Sequence, residues 1–255
     1  MTEDEHSQAQ RFARLDYEGF RLLARDDRLS PYERIGFPDS YRAGHEETIF
    51  ADISAKLPRL DAPGATVLDI GPGCSGLPLM IIEKCERLGH SLVLVDSEEM
   101  LERLPDRPFI RKVPGPFPHC APALADLAGQ VDAAIAYSVL QYVFTEGSVF
   151  GFLDAAQALL QPGGGAMLIG DIPNASMRRR FLATAAGVAH HRRYTGRDED
   201  PLLAFNAPTP GEMDDAVILA LLARARSAGA DAWVVSQPHT LPMANRREDI
   251  LVRRP

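Results

Sequence analysis

The chain has 255 residues, 45% of them hydrophobic and 24% charged, with 27 Lys and Arg against 35 Asp and Glu for a formal net charge of −8. These proportions suit one soluble globular α/β domain with small additions, and the excess of acid argues against a general nucleic-acid binder, which needs a basic face. The opening Met1-Thr-Glu-Asp-Glu-His has no apolar run of signal-peptide length, and no segment approaches the ~20 apolar residues of a bilayer span. The expectation is therefore a cytoplasmic protein with no membrane span.

Residues 1–62 are helical in pattern but broken by Ser30-Pro31 and Phe37-Pro38, which predicts an N-terminal helical cap. From residue 63 onward short apolar runs alternate with helical spacing, the pattern of βαβ units. Ala65–Ile70 reads as a first buried strand. Leu77, Ile81, Cys85 and Leu88 then recur at helical spacing, with Gly89 placed as the C-terminal cap. Ser91–Asp96 is a second strand, apolar throughout as a strand covered on both faces should be. A short helix over 98–104 stops at Pro105. Val131–Tyr137 is a further strand, 148–160 a helix, and Pro162-Gly-Gly-Gly165 turns the chain into the strand Ala166–Gly170. Residues 172–210 are charged and read as an irregular, mobile loop on the acceptor side. The spacing of Thr209 and Glu212 predicts a capping box for a helix from Pro210 to Ser227. Ala232–Ser236 and Ile250–Arg253 supply the last strands. Cys74, Cys85 and Cys120 form no CxxC pair, so reduced thiols and no metal site are expected.

The chemistry concentrates in Asp69-Ile-Gly71-Pro-Gly73-Cys-Ser-Gly76, between the first strand and the first core helix. Glycines allow a sharp turn and close approach of backbone to a ligand. The same turn delivers the unpaired N–H groups of a helix terminus to an anionic group. Asp96, closing the next strand, supplies a carboxylate able to accept hydrogen bonds from both hydroxyls of a ribose. The glycines also fit the dinucleotide pattern GxGxxG, so NAD has to be weighed. Against it, Asp69 stands two residues before the first glycine, where dinucleotide folds usually carry an apolar residue. The motif also lies behind a helical cap, and no Tyr-xxx-Lys pair occurs among the three lysines, Lys56, Lys84 and Lys112.

On Val67-Leu-Asp-Ile-Gly-Pro-Gly, on Asp96 and on the Leu160-Gln-Pro-Gly-Gly turn, the core resembles class I S-adenosylmethionine-dependent methyltransferases. The resemblance implies a Rossmann-like, mostly parallel seven-stranded sheet in the order 3-2-1-4-5-7-6, with S-adenosyl-L-methionine as cofactor. It implies that Asp69, Gly71 and Gly73 contact the methionine part and Asp96 the ribose, with Ser97 and Glu98 beside ribose and adenine. Phe117 lies where adenine contacts would fall, although Val113–Phe117 lacks the Asp of the usual third motif. Tyr137 and Ser138, ending the fourth strand, would face cofactor and acceptor.

Three further segments, Leu29–Arg42, Gly170–Phe181 and Leu241–Val252, resemble a bacterial methyltransferase group that accompanies surface-polysaccharide and unusual-sugar genes. This implies a small sugar-like acceptor. Arg178, Arg179, Arg180, Arg192, Arg193 and Arg197, with His190 and His191, add a basic stretch to an acidic chain, suited to a phosphorylated or carboxylated acceptor such as a nucleotide sugar. An equal reading of this stretch is a solvated helix face. A hydroxyl acceptor needs a base; Asp171 and His190 are the first candidates and His119 the third. Tyr41, Arg42, Asn174, Arg179 and Arg180 are the candidate acceptor residues, each with an alternative reading as packing, turn or salt bridge. A homodimer is left open. The rival readings are a cofactor-binding regulatory or assembly protein without catalysis, and an NAD-dependent oxidoreductase.

Overall fold

The computed structural model describes residue 12 and residues 15–255; the remainder of the expected cap, residues 1–11, 13 and 14, lies outside the described residues. Among the described residues four α-helices precede the sheet: α1 (Tyr17–Arg25), α2 (Pro31–Arg34), α3 (Asp39–Arg42) and α4 (Glu46–Lys56). The sequence caps the first two with side chains, and α3 and α4 start without one. The Asp16 carboxylate accepts from Gly19 N–H, and Ser30 and Glu33 form a reciprocal capping box with Pro31 in the first turn.

Seven strands follow: β1 (Thr66–Ile70), β2 (Ser91–Asp96), β3 (Ile110–Pro114), β4 (Ala133–Tyr137), β5 (Ala166–Pro173), β6 (Asp231–Val235) and β7 (Arg247–Arg253). They form one sheet in the order β3-β2-β1-β4-β5-β7-β6. All neighbours are parallel except β7, which runs antiparallel to β5 and β6. This is the Rossmann-like mixed sheet expected from the sequence, with helices before it.

Alternation along the strands builds two cores, because successive side chains point to opposite faces. Leu68, Ile70, Val93, Val95, Ala134, Ala136, Met167 and Ile169 pack on one face against α8 (Val149–Leu159) and α11 (Asp215–Ser227), through Phe152, Leu153, Ile218 and Leu221. Val67, Leu92, Leu94, Ala133, Ile135 and Leu168 pack on the other against α4 and α5 (Gly76–Leu88), through Ile49, Ile53, Ile81 and Ile82. Gly89 ends α5 in a left-handed conformation, as the sequence predicts. The short helix expected after β2 is α6 (Glu98–Glu102), and the sequence pattern offers no counterpart for α7 (Leu140–Glu146), seven residues that begin three positions after the end of β4.

Two expectations are corrected. Residues 172–195 are not irregular, whereas 196–210 carry neither helix nor strand, as expected. β5 runs on to Pro173, and the chain then forms α9 (Ala175–Leu182) and α10 (Ala185–Thr195). Asn174 caps α9 by accepting from Ser176 and Met177, and Thr184 caps α10 by accepting from Gly187. These two caps were the overlooked signal under the dense charge. The helix expected from Pro210 begins instead at Asp215, because Asp214 is its N-cap, accepting from Ala216 and Val217. Thr209 and Glu212 form only a backbone turn (Glu212 N to Thr209 O, 3.1 Å). Smaller shifts affect β4, which starts at Ala133, two residues late, and β7, which starts three residues early, at Arg247. Among the described residues no helix is long and apolar enough to cross a membrane.

The N-terminal helices are fixed to the sheet by buried charge. Arg42, 5% exposed, pairs with Asp171, 3% exposed, at 2.9 Å, and Arg247 reaches the same carboxylate at 3.0 Å. The backbone N–H of Asp171 donates to Asp249 (2.8 Å), whose other oxygen is paired with Lys56 of α4 at 2.7 Å. Removing one member of such a set leaves uncompensated buried charge. Asp171→Ala is expected to cost about 3–5 kcal/mol, roughly 10 °C in Tm for a chain of this size, and Asp171→Asn less. Urea and thermal unfolding of the three proteins checks this.

Candidate active site

A cavity of about 460 Å³ opens at the carboxyl ends of β1, β2, β3 and β4, where ligands of open parallel sheets bind. Its floor is the glycine turn after β1. Gly71 and Gly73 both have positive φ, 72° and 66°. Each is also crowded: a Cβ on Gly71 would meet Val139 Cγ2 at 2.5 Å, and one on Gly73 would meet Ile35 Cγ2 at 2.6 Å. Backbone conformation and close approach thus both demand glycine here.

Asp96 ends β2 at the cavity wall. Its carboxylate accepts from Gly73 N–H (2.9 Å) and Ser97 N–H (2.7 Å). Burial pushes its pKa up to about 6, against the pull of those two donors. Asp69, buried in β1, is pushed up to about 8, by burial first and by the Asp96 charge second. Opposite them, Arg42 lines the cavity with its guanidinium 4.2 Å from the Phe37 ring centroid and 5.6 Å from that of Tyr137. Its Nη2 is engaged by Ser138 and Asp171, while its buried Nε–H has no acceptor. Ser138, which also donates to Asp171, sits at the end of β4 with φ 61°, a strained conformation for a residue with a side chain.

Of the residues singled out in the sequence, Gly71, Gly73, Asp96, Phe117, Tyr137, Ser138, Arg42 and His119 line this cavity. Phe117 is also core, edge-on to Phe152 at 5.2 Å. Ser97 is buried and caps α6 by accepting from Met100. Asp171 is enclosed by Arg42 and Arg247. Asn174 is buried, capping α9 and donating to Asp215 and Glu248. Arg179 donates to Thr209, Arg180 pairs with Asp215, and Arg178 with Glu212. His190 stands on a separate cleft, 3.5 Å from Arg246. Asp171, Asn174, Arg178, Arg179, Arg180 and His190 are not among the cavity-lining residues, nor are Tyr41, Asp69 and Ser97.

The rest of the wall comes from residues that the sequence reading passed over. Tyr17 and Phe20 of α1, Ile35, Phe37 and Ile49 face Val139, Tyr142 and Val143 across the opening, and Phe20 meets Tyr142 edge-on at 4.7 Å. The α1 helix spans the opening: Tyr17 N–H donates to Glu146 at 3.2 Å, while Arg21 and Arg25 hold Glu99 on α6. Burial and the Asp96 charge push the Tyr17 phenol up to about 12. Glu46 accepts from the N–H groups of Gly76 (2.9 Å) and Leu77 (3.1 Å), so a carboxylate of the chain itself occupies the amino terminus of α5. For Glu46, whose backbone partners lie 30 and 31 residues away, the sequence carries no local signal.

No protein-family model and no curated protein sequence matches the chain. Solved structures do. The plantazolicin methyltransferase BpumL, in complex with a triazolic desmethylPZN analogue and SAH, superposes with a TM-score of 0.54 at 12% identity, over 97% of this chain and 98% of that one. The CurJ carbon methyltransferase gives 0.54 at 14% identity, over 98% of this chain and 68% of its own. The chain spans 58% of a candidate O-methyltransferase from Nostoc punctiforme (TM-score 0.46, 13% identity, 82% of this chain), on which no argument rests. At these identities the likeness is one of architecture: the chain has the fold of class I S-adenosylmethionine-dependent methyltransferases.

Proposed function

We propose that the chain is an S-adenosylmethionine-dependent methyltransferase acting on a small acceptor whose body is apolar and ring-like. The observation that carries the cofactor reading is the pairing, across one cavity, of the Asp96 carboxylate with the unsatisfied Nε–H of Arg42. A carboxylate at the end of β2 suits two ribose hydroxyls. A buried guanidinium N–H without an acceptor suits the carboxylate of an amino acid, because an unpaired buried donor is costly. Gly71 and Gly73 leave backbone, not side chain, at the floor between them. SAH bound in BpumL supports the same reading.

Bound there, the cofactor supplies a sulfonium methyl group with a good leaving group. The chain then has to orient the acceptor and exclude water. Phe20, Ile35, Phe37, Tyr142 and Val143 offer apolar and aromatic faces for this. His119 alone of the three candidate bases lines the cavity, and we assign it the removal of the acceptor proton. The basic stretch that suggests an anionic acceptor is in part paired within the chain: Arg178, Arg179 and Arg180 bridge to Glu212, Thr209 and Asp215, and Arg192 to Asp198 and Asp200. Aromatic walls favour a ring over a hydrated sugar, and O- and N-methylation remain equal in this geometry.

Three outcomes test this. SAH is expected to bind by calorimetry, with affinity that weakens as pH falls through about 6: protonation of Asp96 there removes an acceptor from the ribose. Asp96→Asn flattens that profile, and the absence of any SAH heat sinks the cofactor reading. His119→Ala should lower kcat by about 10²-fold or more with SAH affinity unchanged; a near-normal kcat removes His119 as base. In an acceptor screen by methyl-label transfer, phenols and heteroaromatic rings should turn over and nucleotide sugars should not, with Arg179→Ala and Arg180→Ala leaving acceptor KM unaltered.

A further inference from the structure

Between α10 and the connection from β6 to β7 lies a second cleft, of about 320 Å³, lined by His190, Gln237, His239, Leu241, Asn245 and Arg246 among others. Three successive turns build its rim: Leu241 N–H to Pro238 O, Ala244 N–H to Leu241 O, and Arg246 N–H to Met243 O. The last of these holds Met243 at φ 63°, a left-handed conformation that a side chain disfavours. The cost is met by what it does: it turns Arg246 inward while its neighbour Arg247 goes to Asp171.

Charge is out of balance in this cleft. Nearby acids are committed elsewhere: Asp171 to Arg42 and Arg247, Asp249 to Lys56, Glu212 to Arg178, and Glu248 to the Asn174 amide. Among the described residues no carboxylate lies within ion-pair distance of Arg246, His190 or His239. Burial first, then the neighbouring Arg247, lowers the Arg246 pKa. Burial, then Arg246 and Arg193, likewise lowers that of His190. A largely buried guanidinium with a second one beside it and no carboxylate opposite makes this cleft a site of positive potential lacking its counter-charge.

A second observation is independent of charge. Gln237 is 8% exposed and its Nε2 donates to Asp249 at 2.9 Å. The carboxylate fixes the orientation of the amide, since a flipped amide would set oxygen against oxygen. The remaining Oε1 is buried and has no partner. A buried acceptor without a donor asks for an O–H or N–H from a ligand.

We propose that this cleft is a second binding site, distinct from the cofactor cavity, for a phosphate group that carries an O–H. Arg246 and Asn245, with His190 and His239, would take the anionic oxygens, because a guanidinium fork matches phosphate geometry. The Gln237 Oε1 would accept from the O–H. This site does not depend on the reading of the first cavity as a methyltransferase centre.

The test is NMR of the histidine ring resonances, assigned with His190→Asn and His239→Asn, during titration with inorganic phosphate near neutral pH at constant ionic strength. Both rings should shift saturably. Arg246→Gln should weaken binding by about tenfold or more, with the far-UV circular dichroism spectrum and the thermal unfolding midpoint unchanged as proof of an intact fold. His239→Asn, an exposed substitution, should weaken it by a smaller factor. Sulfate, which lacks the O–H, should bind more weakly than phosphate. Shifts reproduced by chloride, equal affinity for sulfate, or undiminished binding by Arg246→Gln each overturn the proposal.

Discussion

The placement of every other feature depends on the Asp171 carboxylate being neutralised from two sides. Arg42 reaches it from the N-terminal helices and Arg247 from the antiparallel strand β7. The next acid, Asp249, takes the Asp171 N–H and pairs with Lys56 of α4. Alternating charges therefore run from α3 through β5 and β7 to α4 and bind the cap to the middle of the sheet. Buried ion pairs contribute little net stability, but an incomplete one is costly, so such a set selects one arrangement over others. Two residues with side chains are held at positive φ beside it, Ser138 and Asp171. Strain of this kind persists only where the surroundings over-determine it.

That arrangement makes the cavity. With Arg42 anchored, Phe37 lies against its guanidinium, Ile35 closes on Gly73, and α1 crosses to Glu146 and Glu99. The sheet alone would offer only an open crevice at its carboxyl edge. The cap converts it into an apolar, walled space while leaving the polar atoms Arg42 Nε–H and Asp96 carboxylate at its ends. Glu46 at the amino terminus of α5 adds a constraint: an incoming anion does not find that helix end free, which directs it toward Arg42.

The parallel sheet and the glycine turn were legible in the sequence because both are local patterns. Ser91–Asp96 is apolar on both faces, and Gly71 and Gly73 stand where the backbone conformation needs them. The segment 172–195 shows what local pattern cannot carry. Its arginines suggest a basic rim, yet their partners, Glu212, Thr209 and Asp215, lie about 30 residues away in sequence. The helices it forms are announced by Asn174 and Thr184, single caps easily lost among charges. The acceptor wall was illegible for a similar reason. Phe20 and Tyr142 belong to separate helices, and only the tertiary fold sets their rings 4.7 Å apart.

Charge and function consequently part company along this chain. Within the most basic stretch of the sequence Arg178, Arg180 and Arg192 pair with carboxylates of the chain, while His190 reaches a cleft with positive charge to spare. The unpaired cation there, Arg246, comes instead from a turn that the sequence marks with nothing more than Arg246-Arg247 before a strand. One arginine of that pair closes the buried network on Asp171 and the other faces the cleft. The turn that leads into the strand completing the scaffold thus supplies the charge that the scaffold leaves unspent.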